Sequence, residues 1–118
     1  MDDRDMTVDR LRDEVIAMCI RKGWGENGIQ DPQHVAMAMT VEMSEVLEHF
    51  QWLDHVMVTD LMNGRDEKRR HMIAEELADV TCYLLQLTRG LNIDLTTEVL
   101  RKIAIVDKRP PRPDDIKR

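Results

Sequence analysis

Two pairs of carboxylates set the chemistry open to this sequence. Glu42 and Glu45 stand three residues apart in VEMSEVLEHFQW, and Glu76 and Asp79 stand three apart in AEELADVTCYLL. At about 100° per residue, positions i and i+3 share one face of a helix. On that wheel Glu42 falls inside an apolar arc of Val35, Met39, Met43, Val46, Phe50 and Leu53, with Glu45 at its rim. Glu76 falls inside a matching arc of Ile73, Leu77, Val80, Leu84 and Leu87, with Asp79 at its rim. Glu48 and Glu75 look outward.

A single E-x-x-E on a helix is usually a solvated face. Here the motif recurs on a second helix, and neither pair has a local cation. A surface glutamate is commonly paired with Lys or Arg four residues away. The i±4 neighbours of Glu42 are Ala38 and Val46, those of Glu76 are Met72 and Val80, and Asp79 is followed by Tyr83. Four ionised acids converging among apolar side chains repel one another and each lose hydration. Some must hold protons, or a divalent cation must sit among them. Oxygen ligands without Cys or paired His suit Mg²⁺, with Mn²⁺ as a substitute.

The elements that must position these acids are helices. Helix formers dominate, strand formers are few, and Gly and Pro gather in a few places, which predicts an all-α chain. Four helices are expected. The first runs from about Thr7 to Lys22 and is stopped by GWGENG. The second opens at Asp31-Pro32, a favoured cap and first-turn pair, and continues to about Leu53. Residues 54–66 form a connection with a short helical turn at His55–Leu61, ended by Asn63-Gly64. The third runs from about Asp66 to Arg89, with Gly90 as its C′ glycine, and the fourth from about Asp94 to Lys108, where RPPRP forbids continuation.

With 118 residues the chain suits one domain, here 1–109 followed by a Pro-rich charged tail at 110–118. A net charge of −6 argues against a nucleic-acid polymer as partner. EKRRH at 67–71 is interleaved with acids and reads as a solvated helix start. Cys19 and Cys82 form no CxxC pattern, which argues against a disulfide framework or thiolate zinc site. The charged N-terminal residues and the lack of a long apolar run point to no membrane partner and a cytoplasmic location.

The strings PQHVAMAMTVEMSEVLEHFQW and IAEELADVTCYLLQLTRGLNIDLTTEVLRKI resemble the MazG-type all-α nucleoside triphosphate pyrophosphohydrolases. Within that family the likeness is to the short, single-domain branch that includes the dCTP pyrophosphatases, over about residues 10 to 111. The resemblance implies a four-helix bundle-like domain that oligomerises through its helices. It also implies hydrolysis of a nucleoside triphosphate, most simply a dNTP, to the monophosphate and pyrophosphate. Glu42, Glu45, Glu76 and Asp79 match the family's E-x-x-E and E-x-x-D pairs, implied both to bind Mg²⁺ and to act on the attacking water. Trp52 matches a tryptophan lining the base pocket, Trp24 resembles another, and Lys102 matches a phosphate contact.

The match is incomplete. Val106 stands where relatives carry Asn, Pro110 where they carry Tyr, Gln33 where they carry a basic residue, and His34 where many carry Asn. These departures touch the phosphate and base pocket and leave the acid pairs intact. Two alternatives follow: a non-catalytic nucleotide-binding or helical interaction module, and an enzyme of the phosphoribosyl-ATP pyrophosphohydrolase type. His49, one turn past Glu45, reads as a structural neighbour. Surplus Met and Val residues and the family pattern lead us to expect a homodimer or homotetramer, the second subunit helping to complete the site.

Overall fold

The computed structural model describes residues 1–113, so the last five residues of the expected tail lie outside the described part. Among the described residues these helices are defined: α1 (Val8–Lys22), α2 (Pro32–Glu48), α3 (His55–Met62), α4 (Glu67–Gly90) and α5 (Leu95–Asp107). The four expected helices are all there. The short turn expected after the second is a full helix, α3, of eight residues. The one β-feature among the described residues is an isolated bridge, Glu26 to Ile29, inside the loop after α1.

Each helix starts at a side-chain cap. Thr7, Asp31, Asp54, Asp66 and Asp94 accept hydrogen bonds from the backbone N–H groups of Arg10, Gln33, Met57, Arg69 and Thr97. Such caps satisfy N–H groups that the helix itself leaves unpaired. α1 ends at Gly23, whose left-handed φ of 71° lets its N–H reach back into the last turn. Gly28 is needed for a second reason: a Cβ there would stand 2.8 Å from the Ile20 side chain.

Two boundaries differ from expectation. α2 stops at Glu48, not Leu53. The N–H groups of His49 and Phe50 bond back to Val46 and Leu47, so the chain tightens into turns before Asp54 caps α3. Gly90 is the last residue of α4 and not its left-handed stop; that conformation falls on Asn92 (φ 54°). A Cβ added at Gly90 would make only ordinary contact with Ile29 and Pro32, at 3.6 and 3.7 Å.

α2 packs most extensively against α4, and α1 also packs on α4. The buried centre is Val15, Cys19 and Leu85, with Met18, Cys82 and Leu95 against it. Polar ties hold the same elements. Arg12 Nε donates to Thr88 Oγ1 at 3.0 Å, Arg89 Nη2 meets Asp13 Oδ1 at 2.6 Å, and Gln30 Nε2 donates to Gln86 Oε1 at 2.7 Å. The last bond docks the 23–31 loop onto α4.

Much apolar surface is left over. α5 buries none of its residues, and Val99, Leu100, Ile103 and Val106 stand about half exposed. Met43, Phe50 and Leu77, expected on core-facing arcs, are also exposed. The chain shows 9393 Å² to solvent, where a compact chain of this size shows about 6,600 Å². Its radius of gyration is 17.1 Å, against about 13–14 Å for a compact domain. Among the described residues no helix is long and apolar enough to cross a membrane.

Candidate metal centre

The packing of α2 on α4 brings the acid pairs together. Glu42, Glu45 and Glu76 each present a carboxylate oxygen within 4.8 Å of the others. Two of these side chains come from one helix and one from the other, so the cluster exists only in the folded chain. Asp79, one turn past Glu76, is exposed and lies outside this triad, yet its charge acts on both Glu42 and Glu76. The helical wheel put Glu42 and Glu76 inside the apolar arcs and Glu45 and Asp79 at their rims; in the folded chain Glu45 joins the two inner glutamates and Asp79 does not.

The seam is electrostatically unsatisfied. Glu42 Oε2 is buried and has no hydrogen-bond partner. Burial is the largest influence raising the proton affinity of Glu42, followed by proton sharing with Glu45 and the charges of Glu45, Asp79 and Glu76. For Glu76 the largest influence is proton sharing with Glu45, then burial and the neighbouring acids, while His49 acts in the opposite sense. The Tyr83 hydroxyl is pushed up as well, by burial first and then by Glu42 and Asp79. Among the described residues His49 is the one basic side chain within 4 Å of these four acids, its Nε2 standing 3.9 Å from Glu76 Oε1.

This donor set fits a hard divalent cation. Three carboxylates converge, one oxygen is buried without a partner, and a positive charge would relieve the repulsion that raises Glu42 and Glu76. No thiol joins the group: Cys19 and Cys82 are free, and burial pushes both thiols up, away from the thiolate form.

The other expected residues are placed differently. Trp52 follows α2 at the end of its turn and is 83% exposed. Trp24 follows Gly23 in the loop after α1 and is partly exposed. Lys102 lies on α5, in a shallow apolar groove of about 350 Å³ with Val99, Ile103, Val106 and Asp107. Lys102 forms no ion pair with the acids among the described residues, and the groups that set Glu42 and Glu76 do not include it. A larger hollow of about 720 Å³ lies between the N-terminal arm and α1, lined by Met1, Met6, Val8 and Leu11, and contains none of the four acids.

Sequence reasoning treated two residues beside the acids as bystanders. His49 faces Glu76, and Arg69, assigned to a solvated helix start, donates from Nη1 to the His49 carbonyl at 3.4 Å. The available signal was positional. His49 follows Glu45 by four residues and Arg69 precedes Glu76 by seven, so each shares a helix face with an acid.

A family model described as MazG-like matches residues 37–116, which includes all four acids. Human dCTP pyrophosphatase 1 is 29% identical over 108 residues, covering 89% of this chain and 59% of that protein. The chain therefore spans under two thirds of the length of the curated relative it matches. No solved structure gives a significant match.

Proposed function

This chain belongs to the MazG-like family, and we propose that it is a Mg²⁺-dependent nucleoside triphosphate pyrophosphohydrolase acting on a deoxynucleoside triphosphate. The observation that carries this is the convergence of Glu42, Glu45 and Glu76 with an unpartnered buried oxygen on Glu42. The similarity to a protein named dCTP pyrophosphatase 1 supports the reaction class and makes dCTP the first substrate to test.

In the proposed reaction, Glu42, Glu45, Glu76 and Asp79 hold Mg²⁺, with Mn²⁺ as a substitute. A cation held by these carboxylates would supply neutralisation of phosphate charge and polarisation of the phosphoryl group. One of the four carboxylates orients a water and takes its proton. The water oxygen bonds to the α phosphorus, the bond to the α–β bridging oxygen breaks, and pyrophosphate leaves with its electron pair. Trp52 and Trp24 are the proposed stacking surfaces for the base. Nucleotide-pool cleansing is the proposed role, in the cytoplasm.

We also propose a homodimer or a dimer of dimers. The chain exposes about 2,800 Å² more than a compact chain of its size, an amount suited to an obligate interface. Among the described residues α5 buries none of its side chains, and Val99, Leu100, Ile103 and Val106 stay about half exposed. Lys102 sits among them, so its proposed phosphate contact is made to the site of a second copy.

The test is pyrophosphate release with Mg²⁺ across the deoxynucleoside and ribonucleoside triphosphates. Release with at least one, lost in Asp79→Asn, is expected. Absence of release with all of them sinks the proposal. Calorimetric binding without turnover would then identify a nucleotide-binding module, and turnover of phosphoribosyl-ATP alone would move the chain to that branch.

A further inference from the structure

His49 is held to α4 at two points. Its backbone carbonyl accepts from Arg69 Nη1 at 3.4 Å, and its ring Nε2 stands 3.9 Å from Glu76 Oε1. Arg69 and Glu76 are seven residues apart, two turns of α4, and so lie on one face. On α2, His49 follows Glu45 by one turn. The four residues therefore form a closed arrangement across the α2–α4 seam, with one acid from each helix.

Arg69 is itself fixed. Its Nε meets Asp66 Oδ2 at 3.1 Å, and Asp66 Oδ1 accepts the Arg69 backbone N–H at 3.1 Å as the cap of α4. One guanidinium thus spans two acceptors, the N-cap carboxylate of α4 and the C-cap carbonyl of α2. A planar fork makes both bonds at once; a lysine ammonium on a flexible stem does not reproduce that geometry. The clamp falls where α2 ends earlier than its apolar pattern suggests. The carbonyl at that end has no helical partner to accept from, and Arg69 supplies one.

We propose that Arg69 is a positioning residue for the acid cluster: by clamping the end of α2 to the start of α4, it holds the His49 ring against Glu76 and so presets Glu76 for a divalent cation. The inference rests on the metal-site reading above. It adds that a residue over 20 positions from either α2 acid governs cation affinity through a histidine that is not a ligand. Partners that orient metal ligands from behind commonly change affinity by about 10–100-fold when removed.

The test is Mn²⁺ binding by the full chain, measured by calorimetry and by the loss of the free-ion paramagnetic signal, without substrate. Variants are Arg69→Met, His49→Leu and the double variant, each checked for helical content and melting temperature. Each single variant is expected to bind Mn²⁺ about tenfold or more weakly while remaining folded. Because Arg69 acts through His49, the double variant should bind no more weakly than His49→Leu alone. If Arg69→Met does not fold, Arg69→Lys provides the same comparison. Unchanged Mn²⁺ affinity in the Arg69 variant, or a full further loss on top of His49→Leu, overturns the proposal while leaving the metal site standing. A wild-type chain that binds no Mn²⁺ overturns the metal reading and this inference together.

Discussion

Glu45 on α2 and Glu76 on α4 present carboxylate oxygens within 4.8 Å of each other, although 31 residues separate them in the chain. Both belong to a seam where Glu42 has a buried, unpartnered oxygen. The fold concentrates negative charge at its principal helix–helix contact.

Removing one charge should stabilise the metal-free protein. In Glu42→Gln the side chain keeps its shape and loses its repulsion with Glu45, Asp79 and Glu76. A melting temperature a few degrees above wild type is expected in chelator, measured by circular dichroism. With Mg²⁺ present the order should reverse, because only the wild type retains its full ligand set and gains stability by binding. Pyrophosphate release should fall about 100-fold or more.

Acidity should act in the same direction. Glu42 and Glu76 bind protons more readily folded than unfolded, so near their titration the native state carries more protons. Stability then falls as pH rises, starting near the ordinary glutamate value of 4.5 and levelling off above the raised folded values. Metal-free protein should melt at a higher temperature at about pH 5 than at about pH 7.5, and saturating Mg²⁺ should remove the difference. Asp66 and Asp94, lowered by capping hydrogen bonds, act oppositely but only below the ordinary aspartate value of 3.8. A metal-free melting curve flat between these pH values contradicts the crowding of the acids.

Arg12 is 6% exposed and donates to Thr88, joining α1 to α4 beside the core. Its Nη2 is buried without a partner, and its contact to the exposed Asp9 is 3.5 Å long. Arg12→Ala should cost about 1–3 kcal/mol through the lost bond and lost stem packing. Arg12→Met, which keeps the stem and removes the incompletely paired charge, should cost less. Urea unfolding of the two variants ranks them.

The bare stripe on α5 predicts an assembly defect. In an isolated chain Ile103→Asp would be nearly silent, since that side chain is half exposed. In an oligomer sealed by α5 the charge lies in the interface, and sedimentation should show a smaller species than wild type. A wild type that sediments as a monomer removes the basis for this prediction.

Helix starts and the acid seam were legible in the sequence because both are local. Each start carries a Thr or Asp whose side chain reaches N–H groups two or three residues on, and i,i+3 spacing fixes which acids share a face. The end of α2 was not legible. EHFQW continues the apolar period, while the helix is tied off by tightened turns at His49 and Phe50 and by the contact of Arg69 with the His49 carbonyl, 20 residues away. The role expected of Gly90 went to Asn92, since asparagine also tolerates a positive φ. Lys102 matched a motif by position, but it forms no ion pair with the acids among the described residues, and periodicity does not tell which helices pack within one chain.

Phosphorus NMR of the wild-type protein with Mg²⁺ and each deoxynucleoside triphosphate reports which phosphoanhydride bond is cut. A nucleoside monophosphate and pyrophosphate in equal amounts are expected from at least one substrate, with no turnover by folded Glu45→Gln under the same conditions. A nucleoside diphosphate with inorganic phosphate, or turnover undiminished in Glu45→Gln, would contradict the proposed reaction.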